Sequence, residues 1–276
     1  MMCKGIPMRR ALLAIPLVWV LVSCATSPTG RTQLLVVPPD MAISESRLAY
    51  AQTVREMTLA GDLLHDPVLA ERVGAITGRL VGAAVRRWPH TSGWEWSVAL
   101  IDAPDTVNAW CMAGGRMAVY SGLVHRLDLS DDELANVMGH EIAHAIANHS
   151  AEQMSIALLR GLAVLAVAVE TGDRSNARSA DMLASIALSL PNSRTAEYEA
   201  DQLGMELAAA AGYSPRAAVS LWEKMDAMRG SPGILEFLST HPNPDNRSIR
   251  LATLANQLQT RPQSTPPTPH PVRMYP

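Results

Sequence analysis

Phenylalanine occurs once in these 276 residues, and all aromatics together make up only 4%. All-β folds need aromatic and β-branched residues to cover pleated faces, so the abundance of Ala, Leu and Met points instead to helices. A basic surplus is also lacking: 23 Lys and Arg stand against 26 Asp and Glu, for a formal net charge of -3. With no basic stripe to neutralise phosphates, nucleic acid is not an expected partner. Nor is there an uninterrupted apolar stretch of the roughly 20 residues that a membrane crossing needs. The two nearest, Ala11 to Val22 and Ile156 to Val169, are too short, and Arg160 interrupts the second. Neither is expected to span; the second reads as a helix that is buried or faces lipid. Hydrophobic residues still make up 48% of the chain, enough for the core of one globular domain.

Lys4, Arg9 and Arg10 precede the first apolar run, which is the layout of a secretory signal. Leu21-Val22-Ser23-Cys24 resembles the bacterial lipobox, in which cleavage before the cysteine accompanies lipidation of its thiol. Residues 1–23 are therefore expected to be a lipoprotein signal peptide, with Cys24 the lipidation site and membrane attachment through the N-terminal lipid. Acyl chains contribute about 0.8 kcal/mol per buried methylene, so no span is required. Ala25 follows the cysteine where an Asp would suggest inner-membrane retention, which favours an outer-membrane lipoprotein facing the periplasm. Of the three cysteines, Cys3 would leave with the signal and Cys24 would carry lipid. Cys111 is then the one free thiol, and no intrachain disulfide is expected.

From Cys24 to about Pro39 the chain is rich in Ser, Thr, Pro and Gly, and residues 24–43 read as a lipidated tether. The body is expected over 44–260, followed by a Pro-rich, disordered tail at 261–276. Helical patterning from Ser44 to Arg87 breaks between Gly61 and Pro67. Alternation of Trp94, Trp96, Val98 and Leu100 with polar or small residues predicts a strand, and Met117 to Tyr120 a second one after Gly114-Gly115. Ser130 and Glu133 form a capping box that predicts a helix from Asp131 to about His149. Further helices are expected after the polar loop at 171–178, from about Ser193 to Ala211, from Pro215 to Met228 and from Asp245 to Gln257. The fold class is α+β and predominantly helical, with a small sheet.

His140-Glu141-Ile142-Ala143-His144 is an H-E-x-x-H pattern inside the capped helix. Residues four apart lie one above the other on a helix, so two imidazoles can share one zinc ion. Glu141 follows the first histidine, where its carboxylate can take a proton from water at the metal. Random placement of this chain's His and Glu residues would produce about 0.01 such matches. A catalytic zinc needs a third protein ligand and one open position. Glu197 and Asp201 share one face of a later helix, one able to ligate and the other able to support a zinc histidine through its second ring N–H. His149, five residues beyond His144, is expected to turn away from the metal face and to hydrogen-bond rather than ligate. His65, His90, His125 and His270 read as surface or loop residues, and Cys111 has no base paired with it.

Several further blocks accompany the motif: Asn108-Ala109-Trp110, Gly114-Gly115, Val119-Tyr120-Ser121-Gly122-Leu123, Ser193 to Asp201, and Thr240-His241-Pro242 with Arg247. Together they resemble the HtpX-like and CAAX-prenyl-protease-like gluzincin metallopeptidases, over roughly Tyr50 to Leu254. With Thr29-Gly30-Arg31 following Cys24, the resemblance is to that family's periplasmic lipoprotein branch. The resemblance implies a zincin-type core whose edge strand precedes the active-site helix, and one zinc held by His140, His144 and Glu197. It further implies Glu141 as base, Asp201 in support, and Glu199 as a neighbouring decoy. Ala113 departs from the family, which often has Pro before the two glycines. The resemblance puts His241 at the mouth of the site, as an oxyanion donor or as a latch on the metal; the alternative is a surface histidine that caps the start of the last helix. The implied activity is endopeptidase cleavage of misfolded or stalled envelope proteins, with the substrate strand lying along Met117 to Tyr120. A zinc-containing envelope chaperone or scaffold with little turnover is the alternative, and zinc as a purely structural staple is a third reading.

Overall fold

The computed structural model describes residues 24–171, 192–242, 246–261 and 265–275. The expected signal peptide, the apolar helix after the 171–178 loop, and Asn243 and Pro244 lie outside the described residues.

The described chain opens with a short antiparallel hairpin, β1 (Cys24–Thr26) and β2 (Thr32–Leu34). Two long helices follow, α1 (Pro39–Ala60) and α2 (Pro67–Arg87). Gly61, at φ 79°, closes the first in the left-handed conformation that costs glycine little, and the Asp66 carboxylate caps the second by accepting from the Val68 and Leu69 N–H groups. The sheet comprises β3 (Ser97–Ile101), β4 (Ala109–Met112), β5 (Arg116–Tyr120) and β6 (Arg273–Tyr275), in the order β4-β5-β3-β6. β4 and β5 are antiparallel, and β3 runs parallel to both β5 and β6. All of β3 is buried because both its faces are covered. Val98 and Leu100 enter the main core, while Ala99 and Ile101 pack with Tyr50, Leu63 and Ala118 on the α1 side.

Beyond the sheet come α3 (Ser121–Arg126), α4 (Asp131–Ile146), α5 (His149–Thr171), α6 (Arg194–Ala210), α7 (Ala217–Ala227), α8 (Leu235–Thr240) and α9 (Arg247–Gln259). The Ser130–Glu133 capping box starts α4 as predicted, and every residue from Glu133 to Ile146 is buried. This central helix lies directly on α6. A Cβ at Gly139 would sit 2.7 Å from the Gly204 carbonyl oxygen, and one at Gly204 would sit 2.6 Å from the His140 nitrogen, so only paired glycines permit this approach. No helix among the described residues is long and apolar enough to cross a membrane.

Four expectations need correction. The edge strand is β4, with β5 lying inside the sheet, because the Gly114-Gly115 turn folds Ala109 to Met112 back onto Arg116 to Val119. Residues 24–43 are not a loose tether, since Arg31 and Gln33 find partners on the body and α1 already begins at Pro39. Residues 265–275 of the tail are ordered: His270 N–H donates to the Gly78 carbonyl, and β6 pairs with β3. Gly78 and Gly82 leave room on α2 for that extended segment, with a Cβ at Gly82 falling 2.3 Å from the Thr268 oxygen. Finally, α4 stops at Ile146 rather than running to His149, because Asn148 takes the left-handed conformation at φ 56°.

Candidate metal centre

One turn of α4 sets His140 Nε2 3.0 Å from His144 Nε2. Ser193 caps α6 and places Glu197 in its first turn, where carboxylate oxygens lie 3.4 Å from each of those nitrogens. His241, at the C-terminal end of α8, stacks on Phe237 at 4.5 Å and brings Nδ1 to 3.3 Å from His140 Nε2 and 3.2 Å from Glu197 Oε1. All four side chains are buried, and one donor atom from each lies within 4.8 Å of the others. Tetrahedral zinc with bonds of about 2.0–2.1 Å holds its donors about 3.3–3.4 Å apart, close to the separations seen here. The cluster is suited to hold a metal ion, and imidazole with carboxylate is a donor set that fits zinc.

Each motif histidine has support behind it. His140 Nδ1 lies 3.1 Å from Asp201 Oδ1, and Arg247 clamps that carboxylate with bonds of 2.8 and 2.6 Å. Arg247 also reaches Glu197 at 3.3 Å and lies over the Trp222 ring at 3.7 Å. His144 Nδ1 faces His149 Nδ1 at 2.8 Å, and His149 Nε2 faces Glu199 Oε2 at 3.2 Å. Glu199 accepts from Thr29 Oγ1 at 2.6 Å and from Arg31 Nε at 2.9 Å.

Charges follow these contacts. Burial opposes a charge on His140, but Asp201 and Glu197 outweigh it and push the imidazole up to about 10. For His144 burial wins, and its value lies well below the ordinary one. Burial also opposes the charge of Glu197, yet His241, His140 and His144 hold its carboxyl well below the usual range. Asp201 is lowered against its burial mainly by Arg247. Glu141 differs: burial raises it, its Oε1 has no hydrogen-bond partner, and the nearest ring nitrogen of His241 is 3.6 Å away. Burial raises the Cys111 thiol well above its ordinary value as well.

A cleft of about 410 Å³ opens onto this cluster, lined by Asn108 to Met112, Glu141, His144, His149 and Ser239 to His241 among others. The outer edge of β4, which no strand pairs among the described residues, forms one side of it.

The family description "Peptidase family M48" matches residues 67–255, well over half of the chain. The chain belongs to peptidase family M48. Among its relatives, the mitochondrial metalloendopeptidase OMA1 of Arabidopsis thaliana is 38% identical over 164 residues, 59% of this chain and 32% of that protein. The metalloendopeptidase OMA1 of Bos taurus is 31% identical over 241 residues, 83% of this chain and 45% of that one. The beta-barrel assembly-enhancing protease of Escherichia coli K12 is 28% identical over 238 residues, 80% of this chain and 47% of the relative. The chain thus spans less than half the length of each of these relatives.

The M48 span runs from the first residue of α2 into α9, so it contains the four donors, Glu141, Asp201 and Arg247 but not the hairpin bearing Thr29 and Arg31. The structure gathers His140, Glu141, His144, Glu197, Asp201 and His241 in one place, and it gives Arg247 the partner that could not be read from sequence, Asp201. Cys24 begins β1. His65, His90 and His125 are exposed and His270 is half-buried. As expected, His149 hydrogen-bonds and is not among the donors; the helix break at Asn148 places it behind His144. Glu199 is therefore no idle decoy. Glu152 carried no motif, and Thr29 and Arg31 entered the sequence reading only through the Thr29-Gly30-Arg31 block, with no role given to either side chain.

Proposed function

We propose that this M48 protein is a zinc-dependent endopeptidase of the bacterial cell envelope that cleaves misfolded or stalled envelope proteins. The observation that carries the reading is the Glu141 carboxylate, buried and with no hydrogen-bond partner for its Oε1 among the described residues, beside three ligand candidates, His140, His144 and Glu197, on a cleft bordered by the outer edge of β4. Zinc bound there supplies Lewis-acid polarisation of the scissile carbonyl and a lowered pKa for the attacking water. Glu141 takes the proton of that water and delivers it to the leaving amine, work that suits a carboxyl raised by burial. Main-chain groups of an extended substrate pair with β4, so the edge expected at Met117 to Tyr120 moves to Ala109 to Met112. Asp201, fixed by Arg247, keeps the His140 proton on Nδ1 and leaves Nε2 free to ligate.

His241 favours a second feature of the same reading. Its Nδ1 shares the space of the three ligands, so it fits a latch that closes the position a catalytic site keeps open. A chaperone or structural centre with little turnover would keep that latch shut. The envelope location rests on the signal-like residues 1–23 and on Cys24 as the lipidated outer-membrane anchor facing the periplasm. It is supported by the name of the E. coli relative, whereas the OMA1 relatives are named for mitochondria.

Cleavage of an unfolded polypeptide by wild type and by Glu141→Gln tests the function. The variant should retain zinc and lose at least about 10²–10⁴-fold in turnover. Full activity in the variant would overturn the mechanism. Cys24→Ser should abolish detergent-phase partitioning of the mature chain, and normal partitioning would remove the lipid anchor.

A further inference from the structure

To offer Nε2 to a metal as a neutral ring, His144 must carry its proton on Nδ1. The group facing that proton is another imidazole, His149, at 2.8 Å. His149 Nδ1 can accept only through a lone pair, which puts its own proton on Nε2, facing Glu199 Oε2 at 3.2 Å. Glu199 is held by Thr29 Oγ1 and Arg31 Nε, and the two remaining Arg31 nitrogens grip Glu152 at 2.8 and 2.6 Å. Each ring orientation is thus set by the next group, and the string ends on the β1–β2 hairpin, outside the M48 span. A second contact from the same hairpin bears on the same spot. Gln33 Nε2 donates at 2.6 Å to the Ala147 carbonyl, one residue before the left-handed Asn148 that turns His149 inward.

We propose that the hairpin is a clasp on the metal centre: Thr29 and Arg31 orient Glu199, Glu199 fixes the tautomer of His149, and His149 positions His144 for zinc. The four are positioning residues, and the inference rests on His144 being a metal ligand. At His140 the same need is met by Asp201 directly. At His144 an imidazole is inserted, so the support extends to a segment more than 100 residues away in sequence.

Zinc affinity of the full chain, measured by chelator competition, tests the clasp, together with the rise in Tm that zinc produces. Glu199→Gln keeps the volume but removes the charge; it should weaken zinc binding roughly 10–100-fold and shrink the zinc-induced rise in Tm. Thr29→Val, at an exposed position, should weaken it in the same direction, and Thr29→Ser should restore wild-type affinity. A merely structural role would lower Tm equally with and without zinc and leave affinity unchanged, and that result would overturn the clasp. Glu197→Gln separates the two levels. Loss of zinc in Glu197→Gln with wild-type affinity in Glu199→Gln and Thr29→Val refutes the clasp alone, whereas wild-type affinity in Glu197→Gln refutes the metal-site reading beneath it.

Discussion

The two histidines of one motif are supported in different ways. Behind His140 stands a short, dry string: Asp201 accepts directly, and Arg247 grips it from α9 with only 2% of its side chain exposed. Behind His144 the string is longer by one imidazole and ends on Arg31, whose side chain is 19% exposed and whose partner Glu152 is 16% exposed. The chemical demand, an acceptor for Nδ1–H, is the same in both places. The difference lies in how much fold depends on the answer. The Asp201–Arg247 pair lies between α6 and α9 against Trp222, deep in the core, whereas Arg31 holds down a hairpin of two three-residue strands.

The largest effect that would sharpen this contrast is Asp201→Ala. It leaves the Arg247 guanidinium buried without its bidentate partner, a loss of about 3–5 kcal/mol in stability, with zinc affinity falling roughly 10–100-fold. Urea unfolding of the variant checks the first figure. A loss below about 1 kcal/mol, the range of exposed pairs, would mean that the two strings do not differ as described.

Next comes His241, which lies on the C-terminal side at the end of α8. His241→Ala should retain zinc, since His140, His144 and Glu197 remain, and should raise turnover on unfolded substrate by freeing the fourth position. A fall in turnover with zinc retained would instead assign His241 to the oxyanion.

The same contrast explains what could be read from the sequence. H-E-x-x-H and E-x-x-x-D are local spacings on single helices, so helical periodicity alone places His140 beside His144 and Glu197 above Asp201. The capping box fixed the start of α4, but no spacing rule announces that Asn148 will adopt φ 56° and turn His149 inward. The partners of Arg31 were invisible for a related reason. Small polar residues do form the turn between β1 and β2, with Ser27 N–H donating to the Arg31 carbonyl, but the partners of the Arg31 side chain lie 121 and 168 residues away. β4 could have been found, because two adjacent glycines followed by a strand imply an antiparallel strand before them. β6 could not, since three residues after a run of prolines carry no usable periodicity.

The smallest effect concerns pH and isolates the hairpin. Burial raises the Glu152 carboxyl, but Arg31 outweighs burial and holds it below its ordinary value. A carboxylate depressed in the folded state contributes stability that is fully present above its unfolded value of about 4.3 and is lost as the pH falls through the lower folded value. Acidification below about pH 4 should therefore loosen the hairpin, seen as faster amide exchange over residues 25–35 while the α4 amides stay protected. Glu152→Gln provides the control. It removes the ion pair at every pH, costs about 1 kcal/mol or less because the pair is partly exposed, and should speed hairpin exchange already at pH 7. The further acceleration below pH 4 should then be smaller than in wild type, and zinc lost to histidine protonation affects both proteins alike. Equal acceleration in the two would mean that the Arg31–Glu152 pair does not hold the hairpin down, which would leave that work to the contacts on Glu199 and to Gln33 on the Ala147 carbonyl.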